Sequence, residues 1–235
     1  MPFTYNVVSG ASADRLEKLI TERLAPGADK EAIDRRIWRL FGEQWAVMYT
    51  DLAGFSRNVA EFGIVHFLQT IYESHRLLVP LIEKGNGILL KTEGDSLIVM
   101  FRHVNDAVRC SLAMQACTQK YNETRIDAEK VLLCVGIGYG EVLRIGDADI
   151  FGAEVNAACK LGEDTAKAGE ILLTGAASGA ARLPANTRVE QLDAAPDAAP
   201  VKRISPALAV SSPNLHAAFT SAPKMSASPM RSTSP

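Results

Sequence analysis

The sequence predicts an α+β fold in which one sheet is covered by helices. Three observations carry that prediction. Short apolar runs of strand length alternate with longer stretches of helical period. Glycines punctuate two places where neighbouring strands could fold back on each other. Of the 235 residues, 47% are apolar, enough for one core-forming domain with some sequence left over.

The first segment, residues 1–43, is charged and helical in pattern. Leu16, Leu19, Ile20 and Leu24 share one helical face, with Ser12 as a candidate cap. Pro26-Gly27 breaks that helix, and Ile33, Ile37, Leu40 and Phe41 mark a second amphipathic one. Two readings stand for this extension: helices packed on the main domain, or an arm for dimerisation or regulatory docking.

Residues 44–192 carry the core pattern. Trp45 to Tyr49 reads as a buried strand ending at Thr50-Asp51. Residues 58–84 read as helix, stopping near Pro80 or Gly85. Ile88 to Thr92 and Ser96 to Phe101 read as a hairpin around Glu93-Gly94. His103 to Tyr121 reads as helix. Val131 to Gly138 and Gly140 to Ile145 read as two strands separated by a glycine-marked turn. Ala153 to Ala168 reads as helix with Gly169 as its stop, and Ile171 to Thr174 as a closing strand. Residues 193–235, rich in Pro, Ala and Ser, are expected to be a disordered tail with room for modification sites or a partner motif.

Composition excludes several classes. A net charge of −2 provides no field to attract nucleic acid or an anionic membrane. No apolar run approaches the roughly 18 residues of a membrane span, and Met1 to Gly10 lacks the pattern of a secretion signal. The four cysteines, Cys110, Cys117, Cys134 and Cys159, form no C-x-x-C pair and sit in apolar surroundings. Reduced thiols in a cytoplasmic protein fit that pattern, and no spacing supports zinc. His66, His75, His103 and His216 show no ligand spacing either and read as surface or satisfied core residues.

Three groups of residues point to chemistry. Asp51 closes the first strand and precedes Leu52-Ala53-Gly54-Phe55-Ser56, which sets a carboxylate beside exposed backbone N–H groups. Asp95 follows Gly94 at the hairpin tip. In a βαββ unit the third strand pairs beside the first, and the two acids become neighbours. Crowded carboxylates resist joint ionisation unless a divalent cation sits between them. Finally, Asn156 and Lys160 are four apart on a predicted helix and share a face beside an apolar stripe.

Together these residues resemble the class III adenylate and guanylate cyclase family over roughly Trp45 to Ala176. Four patterns in one order carry the resemblance. They are D-x-x-G-F-[ST] at Asp51 to Ser56, K-x-x-G-D at Lys91 to Asp95, G-I-x-x-G-x-V at Gly136 to Val142, and D-[IV]-[FW]-G-x-x-V-N at Asp149 to Asn156. The resemblance implies a ferredoxin-like βαββαβ core, a head-to-tail homodimer and active sites at the subunit interface. It also implies two metal ions, Mg²⁺ or Mn²⁺, held by Asp51, Asp95 and the carbonyl of Leu52. The N–H groups around Gly54, Phe55 and Ser56 would cradle phosphate. The opposite subunit would supply Lys91 and Asp149 to the base, and Asn156 and Lys160 to the ribose and reacting phosphate.

The implied base pair of contacts discriminates between purines. Adenine offers an acceptor at N1 and a donor at its amino group, which complement lysine and aspartate. Guanine reverses both edges. The expectation is therefore an adenylate cyclase that converts ATP to cyclic AMP and pyrophosphate. Guanylate cyclase activity and a catalytically weak or inactive pseudo-cyclase that only binds nucleotide and dimerises are the alternatives. Two departures from the family pattern are noted. Lys160 stands where arginine is usual, and Glu170 where some relatives carry a basic residue, with Lys202 as a possible substitute. There is no G-G-D-E-F run of the diguanylate cyclase kind.

Overall fold

A computed structural model of the chain describes residues 10–185, 187–192 and 200–206. Helices α1 (Ala11–Leu24) and α2 (Lys30–Phe41) lead into strand β1 (Gly42–Leu52). Then follow α3 (Phe55–Phe62), α4 (Ile64–Lys84), the hairpin β2 (Ile88–Glu93) and β3 (Ser96–Phe101), and α5 (Val104–Asn122). Strands β4 (Leu133–Ile145) and β5 (Asp149–Phe151) precede α6 (Ala153–Lys160), which ends in a π-helical turn over Leu161–Thr165. Strand β6 (Ile171–Leu173), α7 (Gly175–Ala180), β7 (Thr187–Leu192) and β8 (Val201–Pro206) complete the order.

The strands form one sheet in the order β2-β3-β1-β4-β6-β8-β7, with β5 hairpinned onto β4. β1 lies antiparallel between β3 and β4, while β4 and β6 run parallel. Alternation along β1 assigns its side chains to two layers. Ala46, Met48 and Leu52 join Leu97, Val99 and Phe101 in a core that includes Leu78 and Ile82 of α4 and Met114 of α5. Trp45, Val47 and Tyr49 join Ile98, Met100, Val155 and Ala158 beneath α6. Asp51 continues this second series at the end of the strand. The mixed α+β architecture expected from the sequence is the one found.

Several boundaries differ from the sequence reading, each for a physical reason. The predicted helix over 58–84 is two helices, because Gly63 adopts φ 84° between them. Ser12 does not cap α1; Gly10 is its N-cap residue, without a side-chain bond. Residues 131–145 are not two strands around a turn. β4 is continuous from Leu133 to Ile145, and its glycines face a helix. A Cβ at Gly136 would lie 2.1 Å from Ala158 O. The predicted helix to Ala168 stops as a regular helix at Lys160 and widens into the π turn.

The tail also departs from expectation. Residues 201–206 form β8, inserted between β6 and β7, with Ile204 buried against the main core. The rest of the predicted tail, 193–199 and 207–235, lies outside the described residues. At the other end, α1 and α2 are joined by Arg23 to Asp34 (2.6 Å) and Arg36 to Glu22 (2.6 Å). Leu19, Ile33, Ile37 and Phe41 pack with Ile145 of β4. Among the described residues, no helix is long and apolar enough to cross a membrane. The four cysteines are all free.

Candidate active site

The end of β1 and the tip of the β2–β3 hairpin meet as the βαββ reading expected. Thr50 is opposite Leu97, so Asp51 falls beside Ser96, next to Asp95 in the turn. Ser96 Oγ donates to Asp51 Oδ1 at 3.0 Å, and Tyr49 Oη donates to Ser96 Oγ at 3.0 Å. Burial, and then the charge of Asp95, push the Asp51 carboxyl up to about 6. Burial also raises Asp95, while the Leu52 N–H stabilises the ionised form of both acids. Leu52 itself is buried, so its backbone lies between the two carboxylates rather than in open solvent.

Gly54, at φ 90°, turns the chain from Leu52 into α3. That left-handed conformation favours glycine, and it leaves the first N–H groups of α3, at Phe55 and Ser56, without intrahelical partners. The side chains of residues 55–58 lie outside the described residues.

A second group assembles on the α6 side of the sheet. Lys91 Nζ lies 3.1 Å from Asp149 Oδ1 and 2.7 Å from Glu93 Oε1. Glu93 first, and then Asp149, raise the lysine further above its ordinary value. Lys91 and Asp149 come from distant strands, β2 and β5, yet form a contact pair about one-third exposed. Asn156 and Lys160 lie exposed along α6, and their side chains make no hydrogen bond or ion pair among the described residues. No hydrogen bond or ion pair among those residues joins Asp51 or Asp95 to Lys91, Asp149, Asn156 or Lys160.

Four features escaped the sequence reading. Ser96 and Tyr49 form a relay onto Asp51, which no spacing announces. Glu93 competes for Lys91; its position two residues along the same strand was the available signal, since i and i+2 share a face. His75 is not a satisfied core histidine: its buried Nε2 has no hydrogen-bond partner among the described residues. Burial lowers its pKa against the opposing field of Asp95. His66, by contrast, pairs through Nε2 with Ala128 O at 2.7 Å. Glu170 is engaged by Arg203 (3.1 Å), and Lys202 lies in β8 opposite Leu173.

Metal ions fit the acid pair on the chemistry of its donors. Two partly buried carboxylates, both costly to ionise and Asp51 the more so for the charge of Asp95, are relieved by a hard divalent cation. Among the described residues no cluster of three or more His, Cys, Asp or Glu side chains occurs. A cation held there would draw its remaining ligands from backbone, water or substrate oxygens, as is usual for Mg²⁺.

Residues 42–194 match the sequence model of the adenylate and guanylate cyclase catalytic domain. The chain belongs to that family. A serine/threonine-protein kinase of Myxococcus xanthus, pkn2, is 30% identical over 128 residues, covering 54% of this chain and 15% of that protein. Putative adenylate cyclase 3 of Rhizobium meliloti is 27% identical over 132 residues, covering 56% of this chain and 21% of that protein. The chain thus spans well under half the length of these relatives. Among solved structures, an adenylate/guanylate cyclase/hydrolase from Silicibacter pomeroyi matches with TM-score 0.60 and 25% identity, over 70% of this chain and 98% of that one. The matched region begins with β1, and α1 and α2 precede it.

Proposed function

We propose that this cyclase domain is an adenylate cyclase that converts ATP to 3′,5′-cyclic AMP and pyrophosphate at a head-to-tail homodimer interface. The observation that carries the reading is the contact between Lys91 and Asp149. One donor and one acceptor, held side by side, match the N1 and amino group of adenine. Guanine would set a donor against Lys91 and a carbonyl against Asp149. Each buried mismatch costs roughly 1–3 kcal/mol, so two favour ATP strongly.

The remaining residues divide the work. Asp51, Asp95 and the Leu52 carbonyl would hold two divalent cations, Mg²⁺ or Mn²⁺. Bound there, such cations supply charge neutralisation for the triphosphate and acidify the ribose 3′-hydroxyl. The N–H groups of Gly54, Phe55 and Ser56 bind phosphate oxygens at the start of α3. Asn156 orients the ribose so that its 3′-oxygen faces the α-phosphate in line with the leaving pyrophosphate. Lys160 donates to the charge that develops on the reacting phosphate. Ser96 holds one oxygen of Asp51, which fixes the direction of the other.

Lysine in place of arginine at 160 keeps the charge and gives up the planar fork. One lost charge-assisted hydrogen bond, worth about 1.5–3 kcal/mol, corresponds to roughly ten- to a hundredfold in rate. That observation favours a second reading, a slow or inactive pseudo-cyclase. Purified chain, assayed with ATP or GTP and Mg²⁺ or Mn²⁺, separates them. Cyclic AMP from ATP, in large excess over cyclic GMP from GTP, is expected. Preference for GTP overturns the base assignment. Nucleotide binding without product from either leaves the pseudo-cyclase.

A further inference from the structure

The helix that bears Asn156 and Lys160 packs on the sheet through Val155 and Ala158, and Glu154 is the side chain that hydrogen-bonds it there. The place of attachment is a gap in the ladder. β6 pairs with β4 from Val135 opposite Ile171 to Ile137 opposite Leu173, and goes no farther. On that edge Val135 N–H donates to Glu170 O (3.0 Å) and Ile137 O accepts from Thr174 N–H (2.9 Å). Alternation along the strand directs the N–H of Tyr139 to the same edge, beyond the point where β6 ends. An unpaired strand N–H in a packed region is costly. Glu154 Oε2 accepts it at 3.0 Å.

The same oxygen accepts the hydroxyl of Thr174 at 2.6 Å. Thr174 Oγ1 in turn accepts from Ala177 N–H at 3.1 Å and so caps α7. One carboxylate therefore ties together α6, β4, the end of β6 and α7. The backbone is cut to fit. A Cβ at Gly138 would lie 2.3 Å from Glu154 O, and one at Gly140 would lie 2.9 Å from Glu154 Cγ. Neither the hydrogen bonds nor this close approach involves substrate.

We propose that Glu154 is a positioning residue for the reaction. Its carboxylate replaces the missing ladder acceptor and fixes the height and rotation of α6, and so the placement of Asn156 and Lys160. The inference rests on the assignment of those two residues to the ribose and reacting phosphate. Asn156 is two residues from Glu154, and Lys160 lies under two turns farther along. A shift of about 1 Å in such groups lowers turnover by as much as a hundredfold. Lys91 and Asp149 are carried by β2 and β5 rather than by α6, so base binding is expected to suffer less.

The test compares Glu154→Ala with Glu154→Gln in the full chain. Gln keeps a carbonyl oxygen that accepts from both Tyr139 N–H and Thr174 hydroxyl. Glu154→Ala should lower kcat ten- to a hundredfold, with a smaller change in KM for ATP. Glu154→Gln should restore kcat to within about threefold of the parent. Full kcat per folded site in Glu154→Ala overturns the proposal, as does a Gln variant as impaired as Ala. Should Ala fail to fold, Glu154→Asp takes its place: it keeps the charge but falls short by one methylene, and the same kcat loss is expected.

Mixing chains separates this inference from the two-subunit reading. An Asp95→Ala chain has an intact α6 and lacks a metal ligand. Mixed with Glu154→Ala, it should regain activity if the defect lies in the placement of Asn156 and Lys160. A mixture of Asp95→Ala with Asn156→Ala is the control. Recovery in the control alone overturns the Glu154 proposal. Recovery in neither strikes the shared-site reading, and the homodimer comparison of Ala with Gln then decides the role of Glu154.

Discussion

At the scale of single residues, the acid pair sets a cost that the metal-free chain must carry. Asp51 sits at about 6 in the folded chain, against about 4 for an exposed aspartate. The sign follows from that order. Above pH 6 the carboxylate is charged in both states, and the folded state alone bears the burial and the field of Asp95. Between about 6 and 4 the folded state takes up a proton that the unfolded state does not, so this penalty fades as pH falls. In EDTA, Asp51→Asn should therefore raise Tm at pH 8, with the gain shrinking steadily toward pH 4. A gain that is constant with pH, or absent at pH 8, overturns the argument. The pairing of these two acids was legible in the sequence, because a strand end and a glycine turn meet wherever βαββ topology closes. The Ser96 and Tyr49 relay was not, since hydroxyls in strands are equally common on either face and only the register brings them to Asp51.

At the scale of elements, periodicity located most helices and strands but misread residues whose role depends on distant partners. Gly136, Gly138 and Gly140 read as a turn, because glycine usually marks one. Their actual reason is α6, whose backbone leaves no room for a side chain there. The stretch from Val201 to Pro206 has too little apolar content to announce a strand. It becomes one because β6 and β7 each offer it a ladder, and Arg203 meets Glu170 (3.1 Å) and Glu190 (3.0 Å). Only Ile204 anchors it in the core. Ending the chain at Pro200 would strip β7 of the one strand it pairs with among the described residues and open the edge of β6. The expected result is a Tm lower by more than 5 °C, or insoluble protein, while removal of residues 207–235 leaves Tm within about 2 °C. Equal melting of the two truncations would mean that β8 is dispensable.

At the scale of the whole molecule, the two groups of the proposed site are not bonded to each other within one chain, among the described residues. Asp51 and Asp95 share the Leu52 N–H, Lys91 meets Asp149, and no bond among the described residues crosses between the groups. Asn156 and Lys160 are exposed on α6 and make no side-chain hydrogen bond or ion pair among the described residues, which leaves them free to meet a nucleotide in the proposed site. Among the described residues, α4 also leaves Val65, Leu68 and Tyr72 exposed along one stripe. In the proposed homodimer, a second copy placed head to tail would bring one chain's acids against the other chain's base-binding pair and complete two sites by symmetry. Asp51→Ala and Lys91→Ala chains are then each inactive alone. Mixed in equal amounts, half of the dimers pair one chain of each kind, and one of their two sites is intact. Activity should recover to about a quarter of the parent's, and specific activity should fall on dilution as dimers dissociate. If the mixture stays as inactive as its components while both variants remain folded and dimeric, the site lies within one subunit, and Lys91 acts on the nucleotide bound by its own acids.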